Sequence, residues 1–103
     1  MTDARFAATA ASADQPPLVV VSGDIDLANV DEFEKAMARA CNGSAALTVD
    51  LTEVSYCDSV AVRALFTLAA GTALTMIVKP VGHIKTLLGI SGLDRVATVI
   101  TRA

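Results

Sequence analysis

Residues 46–70 constrain the fold more than any other stretch of the sequence. Residues 46–51 form a short, mostly apolar run with β-branched Thr48 and Val49, which predicts a buried strand. Beyond a polar segment, apolar residues recur at helical spacing and are followed by Gly71 as a stop signal: Val62, Leu65, Phe66 and Ala69. A buried strand followed by an amphipathic helix is the building unit of an α/β sheet.

The dipeptide Asp58-Ser59 lies where the loop after this predicted strand becomes the helix. Asp58 is expected to cap the helix by accepting a hydrogen bond from a free backbone N–H of the first turn. The hydroxyl of Ser59 is expected to project from the positive end of the helix, where unpaired N–H groups and the helix dipole favour a phosphate. The position therefore suits a reversible negative charge.

Three further strands are predicted from apolar runs, and the turn at Pro16-Pro17 separates the first two. Residues 6–10 are a weak edge strand, residues 18–21 a central strand that Gly23 ends, and residues 73–78 another buried strand. A last strand is expected over residues 96–100, where apolar and polar residues alternate.

Two more helices are predicted between these strands. Asn29, with Glu32 three residues later, is expected to form a capping box, and Asn42-Gly43 closes the helix. Its inner stripe is Val30, Phe33, Met37, Ala40 and Cys41. The third helix is expected to start at Pro80 and to end before Gly89. Its inner stripe is Val81, Ile84, Leu87 and Leu88. This order predicts an α/β fold with a small mixed sheet of about five strands and helices packed mainly on one face.

Composition indicates one compact domain over residues 1–103, with residues 1–4 disordered. Hydrophobic residues make up 53% of the chain and charged residues 18%, which is typical of a globular protein with a real core. The net charge is −3 and the basic residues are scattered, which argues against nucleic acid as a partner. No apolar run approaches the roughly 20 residues of a membrane span, and the N-terminus makes a poor signal peptide, so we expect a cytoplasmic protein without membrane contact.

Three landmarks stand in order along this pattern. Residues 22–26 read Ser-Gly-Asp-Ile-Asp before the first helix, residues 54–59 read Val-Ser-Tyr-Cys-Asp-Ser before the second, and residues 90–93 read Ile-Ser-Gly-Leu after the third. In this order and spacing the set resembles the STAS domain, especially the stand-alone bacterial anti-anti-sigma factors (anti-sigma factor antagonists). The resemblance covers the chain from about residue 18 to residue 100.

The resemblance implies a protein-binding switch in transcription regulation. In that family the unphosphorylated domain binds an anti-sigma factor, often a serine kinase, and so frees a sigma factor to join RNA polymerase. The kinase phosphorylates the serine after the Asp, which abolishes binding, and a phosphatase restores it. By position the phosphorylated residue is Ser59. The residues then expected to contact the partner are Asp24, Asp26, Asp58, Ser59, Val60, Ala61 and Val62.

Two features depart from the family pattern. The family usually has a small hydroxyl residue or Ala and then Gly after the serine, whereas this chain has Val60-Ala61. A methyl group at the second position is expected to hinder a kinase that approaches the backbone closely. The family also commonly adds a helix after the last strand, whereas this sequence ends at Ala103.

Each candidate residue also has an ordinary structural interpretation. Ser59 can be a first-turn residue that satisfies a backbone N–H, and Asp24 and Asp26 can be simple turn residues. The alternative function is a STAS interaction or ligand-sensing module in a larger signalling assembly, not switched by phosphorylation. The sensed ligand would then be a lipid or a nucleotide.

The remaining chemistry-bearing residues do not predict an enzyme. Cys41 and Cys57 have neither metal-type spacing nor a disulfide framework. Cys57, beside a helix N-terminus, is either a thiol sensor with a lowered pKa or, as we favour, an apolar filler. His83, the only histidine, is predicted on the surface of the third helix. The sequence has no Gly-x-Ser-x-Gly elbow, no phosphate loop and no Cys/His cluster, so we expect no catalysis, metal or cofactor.

Overall fold

The computed structural model describes residues 4–102, which form a five-stranded sheet and three α-helices. The elements are β1 (Arg5–Thr9), β2 (Leu18–Ile25), α1 (Val30–Cys41), β3 (Ala46–Cys57), α2 (Ser59–Ala69), β4 (Ala73–Val78), α3 (His83–Ser91) and β5 (Thr98–Thr101), with a 3-10 helix at Leu93–Arg95. The predicted disorder of residues 1–4 falls mainly on residues 1–3, which lie outside the described residues.

The strands lie in the sheet in chain order, β1-β2-β3-β4-β5. β1 pairs with β2 antiparallel, and every later neighbour is parallel. The two strands of each parallel pair are joined through a helix. Because such crossovers are right-handed and each leads to the next strand on the same side, all three helices lie on the same face of the sheet. The predicted α/β fold, with a mixed sheet of five strands and helices on one face, is confirmed.

The core lies between that face of the sheet and the helices. Alternate residues of the three central strands point into it, because successive side chains of a strand face opposite sides. These inward residues are Val19, Val21, Ile25, Leu47, Val49, Leu51, Leu74, Met76 and Val78. The predicted inner stripe of α1 is confirmed, with Val30, Phe33, Met37 and Cys41 buried. Phe33 also stacks on Phe6 of β1 with ring centroids 5.7 Å apart.

β3 continues six residues beyond its predicted end at Leu51 and includes the segment predicted as a loop. Its pairing with β2 shifts register twice, between Val20 and Ser22 and between Gly23 and Asp24, and each shift adds one residue to β3. Such bulges break the two-residue alternation, so the inward residues become Leu51, Val54 and Cys57 at spacings of three. The prediction of a loop was wrong because the apolar run from which the strand was predicted ends at Leu51, and the bulged part of the strand has no regular pattern.

The first of these bulges is stabilised by a local side chain. The carboxylate of Asp50 accepts a hydrogen bond from the backbone N–H of Thr52 at 2.9 Å and another from its hydroxyl at 2.7 Å. An extra residue in a strand leaves backbone groups without ladder partners, and a short acidic side chain two positions earlier can satisfy one of them.

The end of β2 also differs from its prediction, for a reason of backbone conformation. Gly23 does not end β2, which runs on to Ile25. Gly23 has a φ of 88°, and glycine allows that left-handed conformation inside the irregular part of the strand.

α3 begins at His83, three residues after Pro80, and ends at Ser91, where Gly92 with a φ of 81° forms the C-cap. Val81, predicted on the inner stripe, is 85% exposed because it precedes the helix. Ile84 and Leu88 are buried as predicted. β5 begins at Thr98, so Val96, which the prediction placed in the strand, lies before it.

Candidate functional site

The loops that follow β2, β3 and β4 lie at one end of the sheet, here called the carboxyl edge (residues 26–29, residue 58 and residues 79–82). Ile25 and Cys57 are the last paired residues of β2 and β3. The amide of Asp58 donates a hydrogen bond to the carbonyl oxygen of Ile25 at 3.3 Å. The loop of Asp26 therefore lies beside the start of α2, as predicted for residues that follow neighbouring parallel strands.

Asp58 caps α2 as predicted. Its backbone is extended, with φ −109° and ψ −171°, and its Oδ1 accepts a hydrogen bond from the N–H of Val60 at 3.1 Å. Its carbonyl oxygen accepts from the amides of Ala61 and Val62 at 3.1 and 3.3 Å. The first turn of α2 contains no acidic residue. Within the helix and its cap, the carboxylate of Asp58 is therefore the negative charge that lies near the positive end of the helix dipole.

Ser59 is the first residue of α2 and is exposed to solvent. Val60 is half-buried and packs against the core. Ala61 is fully buried in the core cluster, and Val62 is 7% exposed. The prediction that Ala61 contacts a partner is therefore wrong for its side chain, which lies beneath the helix, and Val62 offers little surface.

The loop after β2 is held by its own side chains. Asn29 Oδ1 accepts a hydrogen bond from the N–H of Asp26 at 3.1 Å, and Asn29 Nδ2 donates to the carbonyl oxygen of Asp24 at 2.8 Å. Asp26 Oδ1 accepts from the N–H of Ala28 at 2.9 Å. One carboxylate oxygen of Asp26 thus stabilises the turn, and the side chain remains half-exposed.

The predicted capping box of α1 is wrong, because Asn29 makes no side-chain cap bond to the helix. Its side chain is turned back toward the loop, as described above. The carbonyl oxygen of Asp26 instead accepts from the amides of Asn29 and Val30, at 3.2 and 2.9 Å. A backbone carbonyl group therefore takes the place of a side-chain cap for the first N–H of this helix.

Exposed apolar side chains at the carboxyl edge were not predicted. Leu27 is 76% exposed in the loop after β2, and Tyr56 is 49% exposed near the end of β3. Tyr56 pairs with Asp24 across the strands, and its ring lies 6.4 Å from that of His83 at the start of α3. His83 is exposed on that helix as predicted. A single apolar residue in an irregular segment has no periodic signal, so the sequence could not show that these residues are exposed.

Cys57 is 6% exposed at the end of β3. Burial, and to a lesser degree the negative charge of Asp58, raises the pKa of its thiol to about 11. The alternative in which the helix N-terminus lowers this pKa is therefore contradicted, and the interpretation as an apolar filler is supported. Cys41 is also buried, and its thiol donates to the carbonyl oxygen of Ser44 at 3.1 Å.

Two other kinds of feature are absent from residues 4–102. No group of three or more His, Cys, Asp or Glu side chains in this range is arranged to hold a metal ion. No helix in the same range is long and apolar enough to cross a membrane.

A sheet ordered β1 to β5 with one antiparallel edge strand, helices on one face and an Asp-capped helix that begins with a serine at the carboxyl edge defines the class as a small α/β domain. The chain belongs to the STAS family, because the sequence model of the family described as "Mlab, STAS domain" matches residues 8–101. No curated protein sequence matches the chain significantly.

Solved structures share this fold. An anti-sigma factor antagonist from Mycobacterium paratuberculosis is 21% identical with a TM-score of 0.82, and the match covers 95% of this chain and 86% of that one. The anti-sigma factor antagonist SpoIIAA in its unphosphorylated form is 14% identical with a TM-score of 0.72, covering 95% and 90%. A Shewanella loihica protein with a SpoIIAA-like fold is 9% identical with a TM-score of 0.58, covering 99% and 85%. At these identities the likeness establishes the fold.

Proposed function

We propose that this protein is an anti-sigma factor antagonist. Its unphosphorylated form binds an anti-sigma factor, which is a serine kinase, and so releases a sigma factor; phosphorylation of Ser59 switches binding off and a phosphatase restores it. The observation that carries the proposal is the exposed Ser59 hydroxyl directly after the Asp58 cap, beside the Asp26 loop. The shared fold with proteins named as anti-sigma factor antagonists supports it.

A phosphate on Ser59 fits the folded domain. It would add about −1.5 to −2 charges at neutral pH, at a helix end where the dipole favours an anion. The phosphorylated protein therefore stays folded, and the effect falls on the interface. A partner that packs against a neutral hydroxyl would have to desolvate a dianion near Asp58 and Asp26, and a penalty of ~3 kcal/mol lowers affinity more than a hundredfold.

The substitution of Ala61 for the usual glycine is compatible with a kinase partner. The methyl group of Ala61 is fully buried in the core cluster, so it occupies space beneath α2 and does not cover the backbone of Ser59. Only the half-buried Val60 adds bulk next to the acceptor hydroxyl.

The alternative is a STAS interaction or ligand-sensing module in a larger signalling assembly, without a phosphorylation switch. One observation favours it: the family whose model matches the chain is described as "Mlab, STAS domain" and not as an antagonist. Under this alternative Ser59 is a helix residue at a constitutive interface. A replacement that adds charge would then weaken binding, but no kinase would modify the residue.

The experiment that tests the proposal is affinity capture followed by reconstituted phosphorylation. Tagged protein is used to capture its partner from the native cell extract, and mass spectrometry identifies the partner. The purified partner is then incubated with ATP and the wild-type, Ser59→Ala or Ser55→Ala protein, where exposed Ser55 is the matched control. We expect an anti-sigma kinase that modifies wild type and Ser55→Ala but not Ser59→Ala. Capture of a transporter or ribosomal protein instead would refute the proposal.

A further inference from the structure

A second surface of the carboxyl edge is not used by the Ser59 site. A cleft of about 300 Å³ lies between the distal half of β3 and the start of α3. One wall is formed by residues 51–55, which include the first bulge of β3. The other wall is formed by residues 79 and 81–85. The cleft is therefore shaped by the two irregular segments that the sequence pattern did not predict.

The charge of this cleft differs from that of the whole protein. Lys79, Lys85 and His83 line it, against one acidic residue, Glu53. The chain as a whole carries a net charge of −3, so a cleft lined by two lysines and one carboxylate is a local positive region. The ammonium group of Lys85 donates to the carbonyl oxygen of Pro80 at 3.4 Å, which holds it over the loop that forms the wall.

Exposed apolar groups accompany the charge. Val81 lines the cleft and is 85% exposed. Tyr56, 49% exposed, follows the lining segment of β3 and lies against His83. Large exposed apolar residues beside charges of one sign are typical of a surface that binds another protein, where apolar side chains act as anchors and charges set orientation.

The cleft is continuous with the Ser59 site. Tyr56 has Asp24 as its cross-strand partner on one side and the ring of His83 on the other. The next residues of the same chain are Cys57 and the Asp58 cap. A protein that covers Ser59 and the Asp26 loop can therefore extend over Tyr56 into the cleft.

We propose that this cleft binds an acidic segment of the same anti-sigma partner, with an apolar side chain of that segment against Val81 and Tyr56. The inference rests on the proposed function, because the cleft would form the second half of the interface with the anti-sigma factor. The two halves of the interface then differ in charge: Asp58 and the Asp26 loop lie beside the switch serine, whereas Lys79 and Lys85 outnumber Glu53 in the cleft. The partner must carry basic groups toward Ser59 and acidic groups toward Lys79 and Lys85, which fixes its orientation.

Calorimetric titration of the purified anti-sigma factor tests the assignment. Lys79→Glu and Lys85→Glu reverse the charge of the cleft, and Lys35→Glu on the exposed face of α1 is the matched control with the same change in net charge. We expect each cleft variant to lower affinity roughly tenfold or more, and the control to change it less than about twofold. Thermal unfolding of all three variants verifies that they remain folded.

Amide chemical-shift mapping with the same partner gives a readout that does not depend on substitution. We expect shifts at Tyr56 and residues 81–85 as well as at residues 59–62. If wild type binds and both lysine variants bind equally well, with shifts confined to the Ser59 side, the cleft assignment is overturned and the proposed function stands. If wild type binds no anti-sigma factor, both fail. Displacement of the partner from the cleft by millimolar inorganic phosphate would identify a small-anion site and also overturn the assignment.

Discussion

The backbone amide of Asp58 donates a hydrogen bond to the carbonyl oxygen of Ile25, with 3.3 Å between nitrogen and oxygen. This bond joins the residue that caps α2 to the last residue of β2, and Ile25 itself is 1% exposed in the core. The position of the candidate switch serine is therefore set by two strand ends and not by a free loop. A partner would meet a preformed surface, which lowers the entropic cost of binding.

The cap of α2 is expected to contribute measurably to stability. Asp58→Ala removes the acceptor of the Val60 N–H and should lower the free energy of unfolding by about 1 kcal/mol. For a domain of this size that corresponds to a melting temperature about 4–8 °C lower, measured by circular dichroism. Asp58→Asn keeps a capping oxygen and should melt close to wild type. Equal destabilisation by both variants would contradict the capping role.

The two faces of the sheet should respond differently to a buried charge. Val49 is 0% exposed on the helix-covered face, so Val49→Asp places an unpaired carboxylate in the core and should unfold the domain. Val20 lies half-buried on the opposite face beside Asp50, and Val20→Asp should remain folded with a lower melting temperature. Chemical denaturation of both variants measures the difference. A folded, stable Val49→Asp protein would be incompatible with the described core.

Cys57 provides a pH-dependent prediction. The folded-state pKa of about 11 lies above the ordinary value of 9.0, so the unfolded chain loses the thiol proton first as pH rises. Between these two values the folded state binds more protons, so this group's contribution to stability is full below pH 9 and is lost as pH rises toward 11. Cys57→Ser should remove that part of the pH dependence.

The same burial should protect Cys57 from alkylation. At neutral pH the native protein should react slowly with iodoacetamide at this residue, because the thiolate is the nucleophile. Denatured protein is the control and should react fully. Rapid modification of the native thiol, detected by peptide mass spectrometry, would count against the raised pKa and revive the sensor interpretation.

Asp26 can be tested without disturbing its turn. Asp26→Asn keeps an oxygen for the Ala28 N–H but removes the charge, whereas Asp26→Ala removes both. If Asp26 contacts the partner through its charge, Asp26→Asn should weaken binding by more than about fivefold at an unchanged melting temperature. Unchanged affinity for Asp26→Asn, with a lower melting temperature only for Asp26→Ala, would show that Asp26 is a turn residue.

The elements that the sequence predicted correctly are those with a regular pattern or a local signal. β4 matches its predicted bounds, residues 73–78, because its apolar run is interrupted only by the β-branched Thr75. α2 starts at Ser59 as predicted, because capping by Asp58 is a local interaction between residues two apart. The α/β class could be predicted because strands and helices alternate after the first two strands, and the resemblance to the STAS domain came from the landmarks at residues 22–26, 54–59 and 90–93.

The parts that were not predicted depend on contacts distant in sequence. The two bulges that extend β3 arise from its register with β2, and no pattern within residues 52–57 encodes them. The burial of Ala61 and the exposure of Val81 likewise depend on where a helix meets the sheet. Among the candidate site residues, Asp58 and Ser59 could be placed from sequence, whereas Leu27, Tyr56 and the cleft beside α3 could not.

The measurement that tests the central claim most directly is calorimetric titration of wild type, Ser59→Asp and Ser59→Ala against the purified anti-sigma factor. We predict that Ser59→Asp binds much more weakly than wild type, approaching the hundredfold loss of ~3 kcal/mol, because the added charge must be desolvated. Ser59→Ala should bind at least as tightly as wild type and, unlike it, should remain bound after incubation with ATP. All three should melt within a few degrees of one another. Equal affinities for the three proteins would contradict the switch.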